Sequence, residues 1–440
     1  MCSIAGSKTS DEVARMLGMM KHRAPDDEGI VNVGNMTMGM GRLSIIDLKS
    51  KGLCPYAEDG YALSFNGEIY NYLEIRKELA AKGWVFRTNS DTEVLLKSWR
   101  EWGVKCLDKF NGMFAFAIYD GKKIFLARDI AGEKPLYYTA KPFRFASEAK
   151  ALGFDCEEFP PASYGIYDFK NFVIKPYWTL KRRDINIKTA EEELEWLLED
   201  SVKLRTRSDV PYGLYYSRGI DSSLLATFHD FRYKFTYRDA DYAKEFKKIF
   251  PKILWHLDYP IDSFSPFGLW KLAEMASQKV KVVLSGEGAD ELFGGYARYV
   301  LPEFNYQARK QFPSYPSMFQ PAMSVQESGW NEFNGNLRKL LRMGDRVSSA
   351  FGLENRCPFL DRRIIEFAFS LPNELKINGV ETKVILQNIL KRRNPSYRPI
   401  EKKGLYCSVN KWIGSKNVFD KTDYMELQYR IAKTFKQEHS

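Results

Sequence analysis

The sequence predicts a mixed α/β protein with two domains, an α+β domain over residues 1–185 and an α/β domain over residues 186–440. Its length is the first observation, because 440 residues are enough to bury two separate cores. The second is a change of pattern near residue 185, from short strands between turns to strands followed by loops and helices. That alternation is typical of a parallel sheet covered by helices.

Short apolar or alternating runs in the first half predict strands, which we place at 61–65, 112–119 and 123–127. The dipeptides Asn66-Gly67 and Asp120-Gly121 are both typical of hairpin turns, and the second lies between two of these runs. We therefore expect an antiparallel strand pair there. Apolar residues at helical spacing predict helices over 10–20 and 72–82.

The second half begins with a predicted helix. Thr189 followed by Glu192 is a capping-box pattern, and apolar residues then recur at helical spacing. Two strand-like runs, 212–216 and 280–284, each end in a loop that leads into a helix-like segment. We place the domain boundary between Trp178 and Thr189.

Composition excludes several classes of protein. With 44% hydrophobic and 28% charged residues, the chain has the profile of a globular protein. It contains neither an apolar run of membrane-spanning length nor a signal-peptide pattern, which predicts a cytoplasmic protein without a membrane partner. The six cysteines lie far apart and the four histidines form no metal-binding pair, which argues against disulfides and zinc.

The net charge of +10 indicates an anionic partner, either nucleic acid or the phosphates of a nucleotide. The basic residues are spread along the chain apart from short clusters, and no zinc-finger, RNP or basic-zipper pattern is present. The sequence therefore favours a nucleotide and predicts no nucleic-acid partner.

Cys2 is the most informative single residue. Removal of Met1 would place a thiol and a free α-amine on one residue, and the amine can then act as the general base for the thiol. Its reference pKa of about 7.7–8.0 suits that task near neutral pH. A chain can also begin Met-Cys by chance, so the hypothesis depends on the residues that follow.

Other segments of the first half supply what such a cysteine needs to act on an amide. Arg42 offers a guanidinium for a substrate carboxylate, and Asp91 offers a carboxylate for an ammonium group. The Asn66 side chain and the Gly67 N–H can form an oxyanion hole. Each also has a purely structural interpretation: an ion pair, a helix N-cap and a hairpin turn.

Two loops of the second half have nucleotide-binding character. Ser217–Ser223 (SRGIDSS) lies between a strand and a helix, where small residues and backbone N–H groups bind phosphate, and Asp221 is suited to magnesium. It lacks the GKS or GKT ending of a P-loop. Ser285–Tyr296 (SGEGADELFGGY) combines four glycines with three acidic residues, so it allows close approach to a nucleotide and offers carboxylates for magnesium or proton transfer.

Residues 1–150 resemble the glutaminase domain of class II, N-terminal nucleophile (Ntn), glutamine amidotransferases. The match includes Cys2 itself and, in the same order as in the family, the segments 22–29, 42–47, 65–71, 89–93 and 145–152. The resemblance implies an αββα sandwich in which Cys2 attacks the glutamine side-chain amide and releases ammonia. It implies Asn66 and Gly67 as the oxyanion hole, and a glutamine-binding set of Arg42, Ile45, Asn66, Glu68 and Asp91. Ala24 and Asn89 depart from the family, which usually has glycine at both positions.

The Ser217–Ser223 loop resembles the SGGxDS loop of ATP pyrophosphatases. The 285–296 loop and the segments 352–361, 376–383 and 398–404 resemble asparagine synthetase, which extends the match over nearly the whole chain. The resemblance implies an ATP-pyrophosphatase-type α/β domain that uses ATP and Mg²⁺ to adenylate aspartate, after which ammonia displaces AMP. It implies nucleotide-binding residues Ser217, Arg218, Gly219, Asp221, Ser222, Ser223, Ser285 and Gly286, magnesium ligands Asp221 and Asp290, and catalytic Glu287 and Lys383.

Three interpretations stay open at this point, because Arg218 stands where the family loop has glycine and the chain is shorter than its common relatives. The first is asparagine synthesis, the second is the same chemistry on another carboxylate, and the third is a glutaminase with a degenerate second domain. Intact Glu287, Asp290 and Lys383 argue against the third. Arg338 and Arg342 are either an anion-facing pair or a solvated face, and a homodimer rests on resemblance alone.

Overall fold

The computed structural model describes residues 1–398 apart from 51–52, 154, 239–241, 259–263, 297–298, 300–324 and 380. The strands are β1 Ser3–Ser7, β2 Asp27–Val33, β3 Met36–Arg42, β4 Tyr56–Glu58, β5 Tyr61–Ile69, β6 Gly112–Tyr119, β7 Ile124–Arg128, β8 Tyr137–Ala140, β9 Phe143–Ala146, β10 Glu157–Glu158, β11 Ser163–Tyr167, β12 Phe172–Pro176, β13 Tyr212–Tyr215, β14 Lys234–Phe235, β15 Val282–Leu284, β16 Glu354–Arg356, β17 Ile377–Asn378 and β18 Glu381–Thr382. The helices are α1 Ser10–Met19, α2 Tyr72–Ala81, α3 Asp91–Trp102, α4 Ala149–Leu152, α5 Ala190–Arg205, α6 Ile220–Phe228, α7 Ala243–Leu257, α8 Ser265–Ser277, α9 Ala289–Phe293, α10 Val325–Asn334, α11 Asn336–Ser349, α12 Arg362–Ala368 and α13 Val384–Arg393.

The first half is a sandwich of two six-stranded sheets, with the strand orders β10-β8-β9-β1-β3-β2 and β12-β11-β7-β6-β5-β4. Helices α1 and α4 pack on the first sheet, and α3 packs on β5 of the second with α2 beside it. Strands β1 and β3 contact β5 across the sandwich, and the apolar core between the sheets includes Ile4, Met40, Phe65 and Phe116. This arrangement confirms the expected αββα architecture.

One of the two predicted hairpin turns is wrong. Asp120-Gly121 does connect β6 to β7, but Asn66 and Gly67 lie inside β5, opposite Ala115 and Phe114 of β6. The glycine is required for another reason, since its φ is +151° and a Cβ there would overlap the carbonyl oxygen of Met113. The close approach of the neighbouring strand therefore explains Gly67 better than a turn does.

The second half is built on a parallel sheet of strand order β14-β13-β15-β16. One apolar cluster joins this sheet to α5, α6 and α13, and a second joins it to α7, α8 and α11. Helices therefore cover both faces, as expected for an α/β domain. The predicted capping box is wrong in detail, because Thr189 occupies the N-cap position of α5 without a side-chain hydrogen bond to the helix.

A buried ion-pair network joins the two halves. Arg23 contacts Glu148 at 2.8 Å and Asp345 of α11 at 2.8 Å, and Arg346 of α11 contacts Glu148 at 2.6 Å and Asp258 at 3.0 Å. Loss of one partner would leave a buried charge without compensation, so the network holds the halves in one orientation. Among the described residues, no helix is both long enough and apolar enough to cross a bilayer.

Candidate active sites

Cys2 directly precedes β1, one of the two central strands of the first sheet, and it is half-buried. Burial raises the pKa of the Cys2 thiol, although a hydrogen bond from the Leu43 N–H opposes this shift. Met1 is fully buried beside it, and burial lowers the pKa of the Met1 amine to about 6. The amine that would act as the general base is that of Cys2, which becomes free only when Met1 is removed. Removal of Met1 stays a prediction.

Arg42 ends β3 with its guanidinium held by the following loop. Its Nη2 donates to the carbonyl oxygens of Ile46 and Asp47, both at 2.9 Å. The remaining guanidinium N–H groups are thereby oriented by backbone, which suits recognition of a planar carboxylate. The Ile45 side chain is buried in the apolar cluster of the second half, and its carbonyl accepts the Asp209 N–H at 3.0 Å. Its glutamine-binding role stays a prediction.

The Asn66 side chain is fully buried, and within the described part of the chain neither its oxygen nor its nitrogen has a hydrogen-bond partner. An unsatisfied buried amide costs about 1–3 kcal/mol per polar group. Such a cost is expected where a ligand completes the hydrogen bonds. This observation supports the predicted role of Asn66 at an oxyanion.

Glu68 and Asp91 form a buried acidic pair. Asp91 Oδ2 accepts the Ile69 N–H at 3.0 Å, whereas Ser90 is the residue that caps α3. Burial raises the pKa of Asp91 to about 6. Burial and the Asp91 charge raise the pKa of Glu68 well above its ordinary value. Two desolvated carboxylates side by side are suited to a cation such as a substrate ammonium.

Two residues without a predicted role, Glu354 and Arg356 of β16, reach this pocket from the second half. Both are buried, and Arg356 Nη2 lies 3.3 Å from Glu68 Oε1 while its Nε donates to Glu354 Oε1 at 2.9 Å. The Glu354 carboxylate acts on the Met1 amine, raising its pKa against the effect of burial. The signal available in the sequence was the alternation of charged residues at positions 354 and 356.

In the second half, the loop after β13 leads into α6. Ser217 and Arg218 are exposed, Gly219 holds the N-cap position, and Ser222 and Ser223 lie in the buried first turn. Ser217 Oγ accepts the Gly219 N–H at 3.3 Å and lies 3.1 Å from Ser222 Oγ, whereas Ser223 Oγ has no partner among the described residues. Hydroxyls and N–H groups thus surround a helix N-terminus, a favourable position for phosphate.

Arg218 has a φ of +62°, in the left-handed region. Glycine adopts this conformation freely, whereas a side chain there costs about 1–2 kcal/mol. The loop therefore has, at Arg218, the left-handed backbone conformation that suits the glycine of the family pattern. The exposed Arg218 side chain lies on the wall of the cavity described below.

Lys383 connects the two nucleotide-type loops. Its Nζ donates to both carboxylate oxygens of Asp221, at 2.6 and 2.7 Å, and lies 2.7 Å from Asp290 Oδ1. Burial disfavours its charge, but the two carboxylates raise the pKa of Lys383 above its ordinary value. A Cβ at Gly295 would overlap both Asp290 and Lys383, so the cluster requires glycine there.

Asp221 and Asp290 are hard oxygen donors of the kind that Mg²⁺ prefers, and with Lys383 they carry a net negative charge. No group of three or more His, Cys, Asp and Glu within the described ranges is arranged to hold a metal by itself. Mg²⁺ is usually held by one or two carboxylates together with water and substrate phosphates. The residues present therefore fit that ion as a partner of a bound nucleotide.

Ser285, Gly286 and Glu287 follow β15 and line the same cavity as Arg218 and Asp221. The cavity has a volume of about 490 Å³, within the range of small-molecule sites. Aromatic side chains, Tyr216, Phe235 and Tyr237, supply an apolar wall. Burial raises the pKa of the Glu287 carboxyl, and hydrogen bonds from neighbouring groups oppose this shift.

Two further sequence predictions concern the Arg338–Arg342 pair and the 398–404 motif. Arg342 contacts Glu158 of the first half at 3.2 Å and Arg338 donates to Asn334 at 2.7 Å, so these contacts do not support an anion-facing pair. The 398–404 motif lies outside the described residues from Pro399 onward.

The fold and the two sites define a class of protein: an Ntn amidotransferase half joined to a parallel-sheet half with phosphate-type loops. The family profile described as a glutamine amidotransferase domain matches residues 1–177, and the one described as asparagine synthase matches residues 193–234 and 239–422. The chain belongs to the asparagine synthase family of ATP-dependent, glutamine-hydrolysing ligases.

Curated relatives match most of the chain. It is 28% identical to asparagine synthetase [glutamine-hydrolyzing] 1 of Bacillus subtilis, over 94% of this chain and 89% of that protein. It is 34% identical to putative asparagine synthetase [glutamine-hydrolyzing] 2 of Methanocaldococcus jannaschii, over 68% of this chain and 76% of that protein. Among solved structures, the glutamine phosphoribosylpyrophosphate amidotransferase of B. subtilis is similar at a TM-score of 0.35 and 16% identity, over 49% of this chain and 61% of that chain.

Proposed function

We propose that this protein makes asparagine from aspartate, using ammonia released from glutamine and the adenylating power of ATP. The observation that carries the proposal is the coexistence of two complementary sites in one chain. The first is the unsatisfied Asn66 amide in an acidic, desolvated pocket. The second is the carboxylate pair bridged by Lys383 in a cavity with two phosphate-type loops.

In the first reaction, the thiolate of Cys2 attacks the carbonyl carbon of the glutamine side chain. The Asn66 amide and the Gly67 N–H stabilise the oxyanion of the tetrahedral intermediate. Arg42 binds the α-carboxylate, and Glu68 and Asp91 bind the α-ammonium. The Cys2 α-amine, having taken the thiol proton, gives it to the departing nitrogen, and ammonia leaves. Water then hydrolyses the glutamyl thioester to give glutamate and the free thiol.

In the second reaction, the side-chain carboxylate of aspartate attacks the α-phosphorus of ATP and pyrophosphate leaves. Lys383 offsets the charge that develops on the α-phosphate, and the 217–223 loop binds the phosphates that depart. Mg²⁺, held by Asp221 and Asp290, would neutralise phosphate charge when bound. Ammonia then attacks the acyl carbon, Glu287 takes a proton from it, and AMP leaves.

The test is turnover of the purified protein with glutamine, ATP, Mg²⁺ and one carboxylate at a time from a panel that includes aspartate. Aspartate-dependent formation of asparagine, AMP and pyrophosphate in equal amounts is the expected result. Pyrophosphate with a different acid alone would overturn the choice of aspartate but keep the chemistry. Glutamate formation without pyrophosphate for any acid would show that only the first half is active.

A further inference from the structure

Strand β16 has one face toward each site. Successive side chains of a strand point to opposite faces, so Glu354 and Arg356 point toward the glutaminase pocket. Asn355 and Cys357, the residue that directly follows the strand, point the other way and contact Glu287. Both are buried, with Cys357 at 2% and Asn355 at 8% exposure.

Three donors converge on one oxygen of Glu287. Oε2 accepts the Asn355 Nδ2 at 2.7 Å, the Ser285 Oγ at 3.1 Å and the Cys357 Sγ at 3.4 Å. None of these three bonds uses Oε1. A carboxylate that accepts these hydrogen bonds through one oxygen can accept a proton on the other.

The amide of Asn355 has only one favourable orientation beside an ionised Glu287. Its Oδ1 is buried and has no partner in the described part of the chain. Reversing the amide would place Oδ1 against Oε2, two acceptors in contact, and would lose the 2.7 Å bond. The asparagine therefore serves the carboxylate at the expense of its own oxygen, which is unfavourable for folding. Such a cost is expected where function requires the arrangement.

We propose that Asn355 and Cys357 are positioning residues that fix the Glu287 carboxylate for proton transfer from ammonia in amide formation. The inference rests on the proposed function, because it uses the role of Glu287 in the second reaction. A buried carboxylate with these donors populates one rotamer, so its basic oxygen meets the nucleophile without reorganisation. Adenylation precedes the arrival of ammonia and does not need this alignment.

The test measures pyrophosphate formation in a single turnover without a nitrogen source, which reports adenylation alone, and asparagine formation at steady state with ammonium chloride. Asn355→Ala and Cys357→Val should each lower kcat for asparagine formation by about tenfold, the effect of losing one bond to a charged group. The KM values for ATP and aspartate should stay within about twofold, because neither side chain is needed for their binding. Cys357→Ser, which keeps a donor, should restore most of the rate.

Leu353→Val is the matched control, since it alters packing immediately before the same strand, within the apolar cluster that contains Val283 and Val347. Equal loss of rate in this control, or full kcat in both Asn355→Ala and Cys357→Val, would overturn the proposal. Parallel loss of single-turnover pyrophosphate formation would also overturn it, because the residues would then support the fold of the whole site.

A second measurement does not depend on turnover. The S–H stretching band of Cys357, obtained as the infrared difference between wild type and Cys357→Val, should move in Glu287→Gln, which replaces the accepting carboxylate. An unchanged band would overturn the contact and with it the proposal. A wild type that makes no pyrophosphate with aspartate would instead contradict the proposed function, a result that the band distinguishes.

Discussion

Arg356 of the asparagine synthase half lies 3.3 Å, measured from its Nη2, from Oε1 of Glu68 in the glutaminase half. Both side chains are buried, and the pKa of Glu68 stays raised because burial and Asp91 outweigh the attraction of the guanidinium. The proposed glutamine pocket therefore includes a residue from the other half of the chain. Glutamine binding should consequently respond to a residue whose neighbours in sequence belong to the second site.

Arg356→Lys should raise the KM for glutamine by about tenfold, because an ammonium cannot reproduce the planar contacts of the guanidinium. Glutaminase kinetics without ATP are the measurement. Arg392→Lys, at a partly exposed ion pair with Glu191, is the control and should change nothing. An unaltered KM in Arg356→Lys would mean that the contact with Glu68 has no part in substrate binding.

Cys2→Ala should abolish glutamine-dependent asparagine formation and leave the activity with ammonium salts intact, because only the first reaction needs the thiol. Both activities are followed by product formation under identical conditions. Cys156→Ala, at another half-buried cysteine of the same half, should retain both. Simultaneous loss of both activities in Cys2→Ala would contradict the division of labour between the two sites.

Asp91→Asn should stabilise the fold while it weakens glutamine binding. Burial raises the pKa of Asp91 to about 6, against about 3.9 when unfolded, so ionisation costs the folded state about 3 kcal/mol. Above pH 6 the cost is complete and the variant should be more stable by roughly that amount. Below about pH 3 the acid is mostly protonated in both states, so the difference should vanish.

Denaturant unfolding of wild type and Asp91→Asn at pH 8 and pH 3, with the KM for glutamine at pH 8, checks this prediction. A stability difference that is the same at both pH values would show that the Asp91 charge is not its origin.

Arg218→Gly should relieve backbone strain and also remove a positive charge from the nucleotide cavity. Arg218→Ala is the matched control, because it removes the same charge but keeps a side chain at a φ of +62°. The glycine variant should be more stable than the alanine variant by about 1 kcal/mol. Both should change the KM for ATP alike; a KM equal to that of wild type in both would show that Arg218 does not act on the phosphates.

Gly295→Ala should abolish pyrophosphate formation, since a Cβ at that position would displace Asp290 or Lys383. Glutamine hydrolysis without ATP should survive, because the cluster lies in the other half. Gly18→Ala, where an added Cβ meets no atom within 4 Å, is the control. Normal adenylation in Gly295→Ala would mean that the Asp290–Lys383 contact is not needed for that reaction.

The predictions that succeeded rest on local chemistry. Alternating apolar patterns indicated β6 and β7, and helical spacing indicated α1 and α2, because a half-buried element shows its period in its own residues. The strand–loop–helix arrangement at 217–223 and 285–296 was recognisable for the same reason, whereas phosphate binding by these loops stays a prediction. The prediction of a turn at Asn66-Gly67 was wrong because the dipeptide indicates only that the backbone tolerates unusual φ values. Pairing with the neighbouring strand decides which conformation is adopted.

By itself the sequence determined the chemical groups and the two-part architecture, because residue types and hydrophobic periods are properties of short segments. Only the tertiary structure decided that β16 places Arg356 against Glu68 and Asn355 against Glu287. Residue 356 is far from Glu68 in sequence, and no local pattern encodes a contact that depends on how two domains pack. Because successive side chains of a strand point to opposite faces, neighbouring residues of β16 lie in two different sites.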